Sequence, residues 1–162
     1  MNATGTEDIS GNDPAQVLKR IARYCAFRER CRKEVQQKLN EWKVPPGKAL
    51  QAIRYLEENN FIREDRFAKS FARGKFHSNK WGRIKIQYEL KSRDLPDNII
   101  RDALQEIGEE EYMKTICDLV LKKETEIKAG KELNIREKII TFVNGKGFEF
   151  ELIAKALKEL KI

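Results

Sequence analysis

One spacing recurs three times along this chain, and it restricts the fold more than any other feature. Val35 and Leu39, Ile86 and Leu90, and Ile139 and Val143 are apolar pairs set four residues apart. Five residues beyond the second member of each pair stands another apolar residue, Val44, Leu95 or Phe148. In the first two copies a proline follows directly, Pro45 or Pro96, and a further amphipathic stretch comes after every copy, with Leu104 matching Leu157. A repeat of this kind marks a chain built from similar supersecondary units. The spacing of four places each pair on one face of a helix.

One stretch argues the other way when read alone. Gly82-Arg83-Ile84-Lys85-Ile86-Gln87-Tyr88-Glu89-Leu90 alternates apolar and polar residues, the period of a strand. The first copy of the repeat lacks that alternation, so only a helix satisfies all three. On a helix, Ile84 and Tyr88 form a second apolar strip, either core or contact surface.

The remaining elements follow from periodicity and punctuation. Asp13-Pro14 reads as an N-cap and first-turn proline, opening a helix to about Phe27 with Val17, Leu18, Ile21, Ala22 and Cys25 on its buried side. A second helix covers roughly Cys31 to Trp42 and ends at Pro45-Pro46-Gly47; a third has Leu50, Ile53 and Leu56 as its stripe. A helix beginning near Glu64 carries Phe67, Ala68, Phe71 and Ala72 and is expected to break at His77-Ser78-Asn79. The expected fold class is all-α, an elongated tandem array of three three-helix units at 14–61, 62–108 and 109–162. The last has a longer, charge-rich middle around Lys122 to Lys131. The polar stretch 1–13, with Ile9 its one sizeable apolar residue, is expected to be a disordered tail.

Charge is distributed unevenly. The net charge is +7, which favours an acidic partner such as nucleic acid. Between Arg66 and Arg93 stand nine cations, Arg66, Lys69, Arg73, Lys75, Lys80, Arg83, Lys85, Lys91 and Arg93, against the single acid Glu89. Glu106 to Glu126 holds seven acids against Lys114, Lys122 and Lys123. Phe76, Trp81 and Tyr88 interleave with the cations, where an aromatic either stacks on a base or guanidinium or fills a junction between helices. Charged runs are often only solvated helix faces. A nine-to-one excess, however, adds nothing to solubility that a mixed surface would not. The nine cations and Trp81 are therefore the candidate binding residues of the middle unit, with an electrostatic role.

Chemistry-bearing patterns are otherwise missing. His77 is the only histidine, and Cys25, Cys31 and Cys117 have no metal-ligand spacing. Three thiols argue against a disulfide framework and read as reduced cytoplasmic cysteines. Gly145-Lys146-Gly147 lacks the spacing of a phosphate loop and reads as a turn between helices. Glu109-Glu110-Glu111 opens a helix, where carboxylates offset the dipole, and adjacent helical residues point apart too far to share a metal with Asp118. No cofactor, metal site or catalytic group is expected, and no apolar run approaches the roughly 20 residues of a membrane span.

With these residues in view, the chain resembles the RecX family. Asn60-Phe61-Ile62-Arg63-Glu64-Asp65-Arg66-Phe67-Ala68 is similar to that family's junction between its first two units, where an apolar pair precedes an acid-Asp-x-aromatic-Ala signature. Gly82 with Ile86, Glu89-Leu90, Asp94-Leu95-Pro96 and Ile99-Ile100 resembles its middle-unit segment, and Arg30, Glu34-Val35 and Lys38-Leu39 its first-unit pattern. The likeness covers about residues 15–107 and loosens beyond. Trp81 and Arg83 depart from it, since relatives often carry proline where Arg83 stands. The resemblance implies a cytoplasmic, non-enzymatic modulator that binds the filament of the recombinase RecA on DNA and restrains its growth, ATP turnover and strand exchange, in DNA repair and recombination. Two other classes stay open on the residues alone. A helix-turn-helix regulator would read duplex DNA, although Ile84, Ile86 and Tyr88 are poorly suited to a reading helix. A structural adaptor would tolerate neutralisation of the basic cluster.

Overall fold

The computed structural model describes residues 13–130 and 133–162, so the expected tail lies outside the described residues except for Asp13. The described residues form helices and connecting turns, with no strand among them. In order these are α1 (Pro14–Phe27), α2 (Arg32–Glu41), α3 (Pro46–Glu58), α4 (Glu64–Asn79), α5 (Arg83–Lys91), α6 (Asp97–Gln105), α7 (Glu109–Ala129), α8 (Ile135–Gly145) and α9 (Phe150–Glu159). The alternating stretch after Gly82 is indeed the helix α5, as the repeat requires.

The step of five in the repeat has a physical origin. In the first copy the Val44 N–H donates to the Leu39 carbonyl (3.0 Å), and in the second the Leu95 N–H donates to that of Leu90 (3.4 Å). Such a bond closes the end of a helix when the preceding residue is left-handed. Lys43 (φ 55°), Asp94 (φ 61°) and Gly147 (φ 90°) occupy that position in the three copies. The apolar residue after the turn is thereby returned to the core. Val44, Leu95 and Phe148 are all buried, as are Val35, Leu39, Ile86, Leu90, Ile139 and Val143.

The chain divides into two compact units, the first ending at Phe67 and the second beginning at Ala68. In the first unit α1, α2 and α3 pack on one another around Val17, Ile21, Val35, Leu39, Ile53 and Leu56. Leu50, expected in the stripe of α3, is 39% exposed, and Ala49 and Ala52 take the buried positions beside Ile53 and Leu56. Small residues win there because they let α3 lie close to its neighbours. Arg30 is the unusual occupant, a buried cation lying 3.9 Å from the centroid of the Tyr24 ring and facing Glu34.

In the second unit α7, α8 and α9 pack mutually, and α5 packs on α6. Three buried rings run through it: Phe76 of α4 stacks on Tyr112 of α7 (centroids 5.7 Å apart), which lies 5.0 Å from Phe148 in the α8–α9 turn. Such pairs contribute about 0.5–1.5 kcal/mol each beyond the area they bury. The break expected at His77-Ser78-Asn79 is instead the last turn of α4. That helix closes one residue later, at left-handed Lys80 (φ 55°), where the Trp81 N–H returns to the Lys75 carbonyl (3.1 Å).

Backbone contact holds the start of α5 against the α8–α9 turn. The N–H groups of Gly82 and Ile84 donate to the carbonyls of Lys146 (2.8 Å) and Gly147 (3.0 Å). A methyl group on Gly82 would collide with the Gly147 carbonyl and the Phe148 nitrogen, so only glycine admits this approach. Gly145-Lys146-Gly147 is thus a helix-ending turn, as read from sequence, whose carbonyls receive another helix.

Candidate functional site

The structure sorts the ten residues singled out in the middle of the chain by what each one faces. Arg66 belongs to the first unit, where it pairs with Glu29 (2.6 Å) and donates to the Asn60 carbonyl (2.9 Å). The others lie in the second unit. Lys69 pairs with Glu106 (2.7 Å), Lys91 with Asp97 (3.4 Å) and Arg93 with Glu89 (2.8 Å). The hydrogen bond from Lys69, reinforced by its charge and by that of Arg73, holds the Glu106 carboxyl below the usual carboxylate range.

Arg83 is a packing residue. Its guanidinium lies 4.0 Å from the centroid of Tyr112, pairs with Glu109 (2.7 Å) and donates to the Ile107 carbonyl (3.1 Å). Its backbone N–H donates to Tyr112 Oη (2.8 Å), and that hydroxyl donates to Glu149 Oε2 (2.6 Å). Burial, followed by the hydrogen bond to Glu149, pushes the Tyr112 hydroxyl far above the usual phenol range, so it stays a donor. Glu109 therefore opens α7 and also anchors Arg83, a role its place in the acidic triplet did not reveal.

Arg73, Lys75, Lys80 and Lys85 make no ion pair with an acid among the described residues. Two of them converge on one ring. Lys75 Nζ lies 4.8 Å and Lys85 Nζ 4.5 Å from the centroid of Trp81, which is half-buried after the end of α4. Lys75 also approaches Phe71 (5.5 Å), whose ring carries Arg93 at 4.9 Å. Arg73 lies about 200° around α4 from Lys75, so it points elsewhere.

The outer face of α5 extends the tryptophan cluster. Ile86 and Leu90 turn inward, while Ile84 is 51% and Tyr88 71% exposed. Ile84, Lys85 and Lys91 each lie three or four residues from Tyr88 and so surround it on one face of α5. The second apolar strip noted in the sequence is thus surface and not core. The resulting patch combines two exposed apolar side chains with cations that hold a tryptophan, the composition expected where a partner is gripped. Among the described residues no group of acidic, histidine or cysteine side chains could hold a metal, and no helix is long and apolar enough to cross a membrane.

Comparison with known proteins places this arrangement. The family model for the RecX second three-helix domain matches residues 64–104, which take in α4, α5 and α6 up to its penultimate residue. The regulatory protein RecX of Prosthecochloris aestuarii is 28% identical over 152 residues, covering 94% of this chain and 98% of its own length. That of Clostridium acetobutylicum is 27% identical over 132 residues, covering 79% of this chain but 61% of the longer relative. The crystal structure of RecX from Lactobacillus salivarius superposes with a TM-score of 0.79 at 23% identity, over 91% of this chain and 96% of its own. The chain is thus similar to regulatory proteins of the RecX family over most of its length, and its middle segment matches that family's second three-helix domain.

Proposed function

We propose that this protein regulates a RecA-type recombinase by binding its filament on DNA, and that it restrains filament growth, ATP turnover and strand exchange without catalysing a reaction itself. The observation that carries the site is the Trp81 ring held between Lys75 and Lys85 beside exposed Ile84 and Tyr88. Tryptophan, tyrosine and cations are the side chains that dominate binding energy at protein contacts, and an exposed Ile84–Tyr88 pair is surface that a partner would remove from water. Lys80 and Arg73 add charge near the filament's phosphates. A ligand that favours one state of an assembly shifts its equilibrium by its difference in affinity alone, so no cofactor is required.

In this reading the helices group as three consecutive segments, 14–61, 62–108 and 109–162, with the middle one making the contact in the cytoplasm. Arg83 and Arg93 hold the segment in shape while the lysines and Trp81 meet the partner.

The test is the ATPase rate of the cognate recombinase on single-stranded DNA, titrated with wild type and with Lys75→Glu/Lys85→Glu. Arg83 is left intact because its partners are inside the fold. We expect the wild type to suppress turnover and the folded double variant to need at least ten times more protein for the same effect. Equal suppression by both would remove the α5 face from the contact. No suppression by the wild type would remove the recombinase as its target.

A further inference from the structure

The first unit carries a second cationic surface that the middle stretch overshadows. Between Lys19 and Lys48 ten Lys or Arg residues stand against Glu29, Glu34 and Glu41. Several of the ten have acidic partners: Arg28 and Arg30 face Glu34, Arg32 pairs with Glu57 and Lys38 with Glu41. Those on α1 do not. Val17, Ile21 and Cys25 turn into the core, and the opposite face presents Gln16, Lys19, Arg20 and Arg23 to solvent. Lys19 and Arg23 make no ion pair with an acid among the described residues. The Arg20 guanidinium lies 4.2 Å from the centroid of the half-buried Trp42 ring, which holds it in place. In the last turn of α1 Phe27 is 86% exposed, the highest figure for a large apolar residue among the described residues.

The contact of Arg20 with Trp42 aside, no contact among the described residues accounts for this face. α1 contains no acid, so Lys19, Arg20 and Arg23 gain no pair along the helix, and cations three and four apart repel one another. None of them lies in the last turn, where a cation would offset the helix dipole. A phenyl ring standing out from the surface loses contacts it would have in a core.

We infer that the outer face of α1 binds single-stranded nucleic acid directly, with phosphates on Lys19, Arg20 and Arg23 and a base stacked on Phe27. Rows of cations beside an exposed aromatic follow a flexible strand in this way, because the backbone supplies regular charge and every base offers a flat face. An acidic polypeptide would satisfy the cations but offers the ring no comparable surface. The inference deepens the filament reading, on which it rests for its setting alone: DNA would be held by the first unit and the recombinase by the α5 face.

The test omits the recombinase and so stands apart from the previous one. Binding of the full chain to a labelled 30-nucleotide oligothymidylate is followed by fluorescence anisotropy over a salt series. The proteins are the wild type, Lys19→Glu/Arg23→Glu, the milder Lys19→Gln/Arg23→Gln, Phe27→Ala and Lys75→Glu/Lys85→Glu, with circular dichroism checking each fold. We expect the two α1 charge variants to lose at least tenfold in affinity. Removing two phosphate contacts should lower the log–log salt slope by about 1.4. Phe27→Ala should weaken binding several-fold at unchanged salt slope, and Lys75→Glu/Lys85→Glu should weaken it less than Lys19→Glu/Arg23→Glu does. Wild-type affinity in Lys19→Gln/Arg23→Gln would overturn the inference. So would an α1 variant that keeps its oligonucleotide binding but no longer suppresses the recombinase, since the face would then be a protein contact.

Discussion

A cation's meaning depends on its partner, and partners are where residue-scale reading of the sequence stops. Lys69 and Glu106 are far apart in the chain, yet they sit 2.7 Å from one another. Their pairing has a consequence that can be measured. The Glu106 carboxyl, held low by the Lys69 hydrogen bond and by charge, should titrate below the ordinary glutamate range when its carboxyl carbon is followed by NMR. Lys69→Met should bring it back towards the ordinary range. The sign follows from linkage: a carboxyl whose folded pKa is depressed contributes stability above its unfolded pKa and loses it as the pH falls through the folded one. Because Glu106 is exposed that contribution is small, and the shifted titration itself is the readout. An unshifted Glu106 in the wild type would show that the ion pair does not persist in solution. The same limit explains Arg83. Its charge was legible as part of a cluster, but its ring partner Tyr112 and anion Glu109 come from another helix, and nothing local announces them.

Elements were more legible than side-chain partners because their signals are local. The first-turn proline, the apolar spacings and the repeat locate α1 and the C-terminal turns of α2 and α5, and comparison of copies reads α5 as a helix against its own alternation. The end of α4 was missed because polar His77-Ser78-Asn79 looks like a breaker, whereas the helix stops where Lys80 turns left-handed. The tightest constraint on the elements, Gly82 against the α8–α9 turn, was visible only as a glycine. Gly82→Ala should destabilise the protein by roughly 2–3 kcal/mol, as inserting a methyl group into a filled space does. For a chain of this size that lowers Tm by about 4–12 °C. Gly74→Ala is the matched control. Gly74 lies within α4 with nothing near its missing methyl, so alanine there should add about 0.5–1 kcal/mol through helix propensity alone. Urea unfolding of both variants separates a packing effect from a generic response to losing a glycine. Equal shifts would mean that the α5 start does not depend on this close approach.

At the scale of the whole molecule the net charge of +7 understates how cationic the two proposed binding surfaces are. Ten cations against three acids over 19–48 and nine against one over 66–93 exceed that total, and the rest of the chain is net acidic. Summed charge of this kind acts on the rate of encounter before any contact forms, and it acts through salt. On the proposed function, association with a recombinase filament on DNA should therefore slow by about an order of magnitude or more between low and physiological ionic strength, measured as the rate constant in stopped flow. Each exchange of a cation for glutamate removes two charges, so Lys19→Glu/Arg23→Glu with Lys75→Glu/Lys85→Glu takes the chain from +7 to −1. The pairs lie in different units, and each should reduce the salt dependence by its own share, the two adding in the fourfold variant because they have no partner in common. Its on-rate should then hardly vary with salt, while the dissociation rates of the two double variants report which surface holds which part of the filament. A fourfold variant that keeps the wild type's salt dependence would mean that charge elsewhere steers the encounter. A variant with two charges reversed that loses all of it would mean that one surface alone meets the filament.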